Sequence, residues 1–177
     1  MIRFSSLAGA LGAAALVTST AFAQIPADPA NPNEALPGKA AFMPYGDSIK
    51  LAEARKAVNA ALADAEKRGW PMCIAVVSPS GDLVYFVKMD DCQYASISIA
   101  QHKAKAAATF RRPTVNFERL LGRGPFFTYL LTLDGMIGSR GGNPIVVNGK
   151  IIGAIGVSGG TGSQDDVISQ TGVAALR

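Results

Sequence analysis

The chain carries one histidine, two cysteines and one tryptophan in 177 residues, and only 17% of its residues are charged. One imidazole and two well-separated cysteines leave no ligand spacing for a zinc site. There is no Gly-Lys-Ser/Thr phosphate loop, and no G-x-G-x-x-G at the offset a dinucleotide fold requires. After the first two dozen residues, no apolar run is long enough to span a membrane. No internal repeat or second domain is visible, so one compact domain is expected.

What is present begins with an export signal. Arg3 supplies a positive start, Leu7 to Val17 an apolar stretch too short to span, and Ala21-Phe22-Ala23 a small-x-small cleavage site. Residues 1–23 are read as a signal peptide, which places the mature protein in the periplasm or outside the cell. The formal charge of +4 then does not argue for nucleic acid as a partner. Residues 24–47 hold Pro26, Pro29, Pro32, Pro37 and Pro44 and read as an extended tail before a domain at 48–177.

Hydrophobic periodicity sets the elements. Leu51, Ala54, Val58, Ala61, Leu62 and Ala65 repeat at helical spacing from Ser48 to Arg68, with Asp47 or Ser48 as cap and Gly69 as terminator. Met72–Ser78 and Leu83–Met89 form a strand pair about Pro79-Ser80-Gly81-Asp82. A second helix runs from Tyr94 to Phe110. Its apolar stripe is Ala95, Ile99, Ala106 and Phe110, with His102 on it, while Tyr94, Ser98, Gln101 and Lys105 face away. A short helix at Phe117–Leu121 follows. Phe126–Leu133 is ambiguous between helix and strand, and Met136–Ser139 reads as a strand. PIVV and IIGAIGV flank Asn148-Gly149, a strong hairpin signal. The last helix spans Gln164–Leu176, with Ser163 and Asp166 at capping-box spacing. Tight turns between neighbouring strands predict an α/β (α+β) domain with a mostly antiparallel sheet flanked by helices.

Cys73 and Cys92 admit two readings. If Ser78 faces Leu83, Cys73 faces Lys88 and Cys92 overshoots by roughly 13 Å if extended. A disulfide therefore needs the chain to fold back after Met89; otherwise the two are separate, partly buried thiols.

Gly156-Val157-Ser158-Gly159-Gly160 fits the G-x-S-x-G pattern of a serine hydrolase. The next helix starts several residues late for a nucleophile elbow, the only histidine precedes the serine, and the sheet reads as antiparallel. The simpler reading is a glycine loop whose serine bonds locally to backbone. Asp165 and Asp166 suit a helix N-terminus and would repel a phosphate. Lys103, Lys105, Arg111, Arg112, Arg119 and Arg123 oppose only Glu118. They read as a solvated basic face or as a patch for carboxylates.

M-D-x-x-x-x-A-S-I-x-I-A-x-x-K-A at Met89–Ala104 precedes Phe110-Arg111-Arg112-Pro113-Thr114. G-G-x-P-I-x-x-x-G-x-I-I-G-A-I-G-V-S-G follows at Gly141–Gly159, then Gln164-Asp165. Together these blocks resemble the GlcG/HbpS-like family, also called the haem-degrading domain and found at the C-terminus of PduO-type proteins. The resemblance covers roughly Ile49 to Leu176. It implies a profilin-like layered domain, homo-oligomers, and haem or tetrapyrrole binding in some members.

A haem needs an apolar cleft, a cationic rim and an axial donor. The second helix offers Ile99 and Phe110 for the disc, Lys103 and Arg112 for the propionates, and His102 for the iron, with Ser96 beside them. Ser158 and Gly159 can close the cleft from the sheet side. The first functional expectation is an exported protein that sequesters or relays haem. The others are a non-haem accessory subunit of a periplasmic oxidoreductase, with a periplasmic protein as partner, and an enzyme on a small organic acid or tetrapyrrole. No catalytic residue is assigned.

Overall fold

The computed structural model describes residues 43–177. The segment read as a signal peptide and most of the proline-rich tail lie outside the described residues. The end of the tail does not. Its last residues run beside the start of the hairpin's second strand, where Gly46 donates to the Ile151 carbonyl and Ile151 to that of Pro44.

Helix α1 spans Leu51–Arg68 and buries Ala54, Ala57, Val58, Ala61 and Ala65, a narrow small-residue stripe. Its cap is neither Asp47 nor Ser48. Glu53 reaches back to accept from the Lys50 N–H at 3.0 Å. Gly69 closes the helix in the left-handed conformation, as its position suggests. Strands β1 (Cys73–Val77) and β2 (Leu83–Lys88) pair antiparallel with Cys73 opposite Lys88, and a bulge near the turn brings Val77 opposite Leu83.

Helix α2 (Ala95–Thr109) leads to α3 (Val115–Leu121) and then to a 3₁₀ helix at Pro125–Thr132. The ambiguous Phe126–Leu133 segment thus resolves as neither α-helix nor strand. Its period is three: Phe127 and Leu130 are buried while Phe126, Tyr129 and Leu131 are exposed. Met136–Ser139 is not a strand, contrary to expectation. Gly135 and Gly141 take positive φ on either side of it, and regular pairing with the sheet begins only at β3 (Gly142–Val147). Strand β4 (Lys150–Ser158) follows through Asn148 and Gly149, both with φ above +45°, the conformation of a two-residue hairpin turn. Helix α4 (Gly162–Ala174) starts earlier than the spacing implied. Thr161, not Ser163, caps it, exchanging hydrogen bonds with Gln164.

The sheet is antiparallel throughout, in the order β2-β1-β4-β3. Helices α1 and α4 cover one face. There Ile74, Val76, Ile145, Ile155, Val157, Ile168 and the alanines of α1 form the larger core. Helix α2 covers the other face, over Cys73, Ala75, Val77 and Ala154.

Candidate functional site

The α2 face is built from small residues. Ala75, Gly156 and Gly142 stand opposite one another on β1, β4 and β3. A Cβ on Gly156 would collide with the Ala100 carbonyl and the Ala104 amide of α2, and one on Gly142 with the Lys103 carbonyl. The helix backbone therefore lies directly on the sheet. This contact fixes which side of α2 turns inward. Ser96, Ala100, Lys103, Ala104, Ala107 and Ala108 are buried; of the expected stripe Ala106 is buried too, but Ala95 is exposed and Ile99 and Phe110 only half-buried, so the stripe is displaced by about one residue, or about 100°.

That rotation separates the expected site residues. Ser96 is fully buried, and its hydroxyl meets that of Ser158 at 2.9 Å. Gln93 also donates to Ser96. Ser158 is therefore held by a side chain rather than by local backbone, and no imidazole touches it. Gly159 packs its backbone against Pro71 and Met72.

Lys103 is 1% exposed and its Nζ lies 2.7 Å from Asp165 Oδ2, so it is not on a rim. Asp165 also accepts from the Gly160 N–H at 3.0 Å, which ties the glycine loop to the pair. Burial pushes the Asp165 carboxyl up, against the pull of Lys103 and of the Gly159 and Gly160 amides. Beside this pair, Glu118 accepts from the Arg140 backbone N–H and guanidinium, which holds its carboxyl below the usual range. Phe110 packs edge-to-face on Phe117 at 5.2 Å, with the exposed Arg112 guanidinium over the same ring. Arg111 lies over Tyr45. Of the expected basic face, Lys103, Arg111 and Arg112 thus have partners within the fold. Ile99 is half-buried.

Cys73 and Cys92 are both buried, with sulfurs 2.6 Å apart. The chain does fold back after Met89. Met89 donates to the Met72 carbonyl, Cys92 donates to that of Met89, and Asp91 turns the chain at φ 62°. The two are free thiols, but in contact and buried rather than separate and partly buried, so that reading is corrected in its geometry. Burial first, then the neighbouring Cys92, pushes the Cys73 thiol up to about 12.

His102 is not on the buried stripe. It is exposed and opens into a groove of about 370 Å³ lined by Val77, Gly81, Leu83, Gln101, Lys105, Asp134 and Gly135. The stem of Lys105 rests on Gly81, where a Cβ would meet its Cγ at 2.7 Å. The groove combines an imidazole, an ammonium, an amide and a carboxylate with the apolar Val77 and Leu83. Gln101 and Lys105 were legible only as facing away from the stripe. Asp134 and Gly135 come from a loop whose placement no periodicity announces. A larger groove, about 440 Å³, lies beside the β3–β4 turn against Tyr45, Asp47, Asn148 and Lys150, and has no imidazole or sulfur. Among the described residues, no three His, Cys, Asp or Glu side chains converge to hold a metal ion.

Residues 49–174 match the profile of the HbpS-like haem degrading protein family. The chain belongs to that family. It is 40% identical over 95 residues to Protein GlcG of Escherichia coli K12, covering 54% of this chain and 69% of that one. A double mutant of Streptomyces reticuli HbpS superposes with a TM-score of 0.68 at 29% identity, over 81% of this chain and 98% of that one. PduOC, solved as a complex with haem, shares the fold with a TM-score of 0.68 at 24% identity, over 73% of this chain and 96% of that one.

Proposed function

We propose that the protein is exported and binds haem in the groove on the outer side of α2, sequestering or relaying it without turnover. The observation that carries this reading is the placement of the chain's only histidine. It stands exposed in a groove with an apolar floor, within a family described by its dealings with haem.

The residues fit the group. His102 offers an imidazole nitrogen to iron, Lys105 a cation for a propionate, and Leu83 an exposed apolar surface beside the buried Val77. Lys105 takes the role that Lys103 cannot fill, because Lys103 is committed to Asp165. When bound, haem supplies a redox-active iron; the protein's part is to hold and orient it. At about 370 Å³ the groove is at the small end of the roughly 300–1,000 Å³ common for ligand clefts. A shallow groove suits transfer better than permanent retention.

Titration of the purified protein with haemin tests the proposal. The wild type gives a saturable Soret shift, and His102→Ala loses that shift and weakens binding at least tenfold. Unchanged Soret position and affinity in His102→Ala would remove the axial assignment. An absence of saturable binding would favour the accessory-subunit reading.

Export and self-association belong to the same proposal. N-terminal sequencing of the secreted form begins at Gln24, and light scattering reports more than one chain per particle. The small side chains of α2 do not supply an assembly face, since Ala106 and Ala107 are fully buried, although Ala95 is exposed.

A further inference from the structure

The buried cysteine pair takes no part in the haem groove. Cys73 opens β1, opposite Ser158 on β4, and its side chain faces the α2 layer. Cys92 lies three residues before α2 and is returned over Cys73 by the turn at Met89–Cys92. That turn holds Asp91, a residue with a Cβ, at positive φ. The reversal is thus specific, and its result is to place two thiols side by side with 18 residues between them in the chain. Besides Cys73, the Cys92 sulfur reaches, among the described residues, only the backbone carbonyls of Gln93 and Ser158. Such acceptors do not compete for covalent chemistry.

We propose that Cys73 and Cys92 form an intramolecular disulfide that clamps the segment leading into α2 onto β1, giving the protein two covalent states. The reaction is exchange with a disulfide-bearing oxidant, either a small-molecule disulfide or a thiol–disulfide oxidoreductase. The Cys92 thiolate attacks one sulfur of the oxidant, forming a mixed disulfide and releasing the first oxidant thiolate. The Cys73 thiolate then attacks the Cys92 sulfur, forming the internal bond and releasing the second. The two protons lost by the cysteines protonate the two released thiolates, so two electrons and two protons pass to the oxidant. Cys92 is the entering sulfur because it sits on the turn, whereas Cys73 is enclosed in the sheet and disfavoured as a thiolate. Oxidation fastens the first turn of α2, where Ser96 already binds Ser158 across the same interface.

The test uses the full-length protein equilibrated with oxidised glutathione and then alkylated with iodoacetamide under denaturing conditions. Neither cysteine is alkylated, the intact mass is lower by two hydrogens, and peptide mapping links Cys73 to Cys92. Dithiothreitol makes both alkylatable and lowers the thermal midpoint by roughly 10 °C. Cys92→Ala matches the reduced wild type and is insensitive to dithiothreitol. Should that variant fail to fold, the wild type with and without reductant carries the same readout. Alkylation of both cysteines, a stable glutathione adduct, disulfide-linked dimers, or a midpoint unmoved by reductant would each overturn the proposal. None of these outcomes depends on haem.

Discussion

The two faces of the sheet are built on opposite plans. Beneath α1 and α4, the strands present Ile74, Val76, Ile145, Ile155 and Val157. Beneath α2 they present Cys73, Ala75, Ala154, Gly156 and Gly142. The first face gains stability by apolar area, at about 25 cal/mol per Å² removed from water. The second gives up area to bring a helix backbone down onto strand backbone. It fills the remaining space with polar devices: a hydroxyl pair, a thiol pair and an ion pair, with no buried side-chain nitrogen or oxygen left unpartnered among the described residues. Because α2 is pinned so closely, its outer side is pinned too. Gln101, His102 and Lys105 are thereby presented on a rigid element at the groove.

The faces should break in different ways. The largest expected loss is at the ion pair. Lys103→Met leaves Asp165 buried without its cation and should cost about 3–5 kcal/mol at neutral pH by urea unfolding. Its pH dependence follows from the raised folded pKa of Asp165. A carboxyl raised in the folded state holds its proton more tightly there. The penalty is therefore smallest below the ordinary aspartate value of 3.8 and grows as the pH rises through the folded value. Removing both charges, with Lys103→Met and Asp165→Leu together, should recover most of the loss.

Growth on the α2 face comes next. Gly156→Val must lift Ala100 and Ala104 of α2 off β4, at about 3 kcal/mol by thermal or urea unfolding. On the opposite face the same strand tolerates trimming: Ile155→Val should cost only about 1 kcal/mol. If the two costs were reversed, the contrast between the faces would fail.

The smallest effect belongs to the part-exposed Glu118–Arg140 pair. Glu118→Gln should cost under about 1 kcal/mol. Glu118 is lowered in the folded state, so its contribution is present above the ordinary glutamate value of 4.5 and is lost as the pH falls through the lowered one. A loss that instead grew toward low pH would contradict the assignment.

Much of this architecture was legible in the chain. The apolar runs PIVV and IIGAIGV about Asn148-Gly149 announced the hairpin, and turn chemistry announced antiparallel pairing. Counting placed Cys73 against Lys88, although the bulge puts Val77 rather than Ser78 opposite Leu83. The failure at α2 has a physical cause. Its buried side is mostly alanine, whose small side chain marks an inner face only weakly, and the decisive contacts are made by backbone over Gly142 and Gly156. A stripe drawn through Ile99 and Phe110 therefore fell beside the buried one. It put His102 inside and left Lys103 for a rim, whereas His102 is exposed and Lys103 is buried. The one available signal was Lys103 itself, a lysine within an alanine-rich helix, together with the acidic pair that opens α4. Met136–Ser139 misled for a different reason. Its apolar residues are real, but glycines bound them too closely for a strand.

The central claim is that ligand chemistry belongs to the outer side of α2 while its inner side is structural. Amide resonances of the full-length protein, recorded while ferric haemin is added, test it most directly, because a paramagnetic iron broadens only what lies near it. The account predicts that broadening centres on His102 and extends to Gly81, Leu83, Lys105 and Gly135, with Ser158–Gly160 and Gly141 left sharp. Broadening centred on Ser158–Gly160, with His102 unaffected, would place the haem at the glycine loop and contradict it.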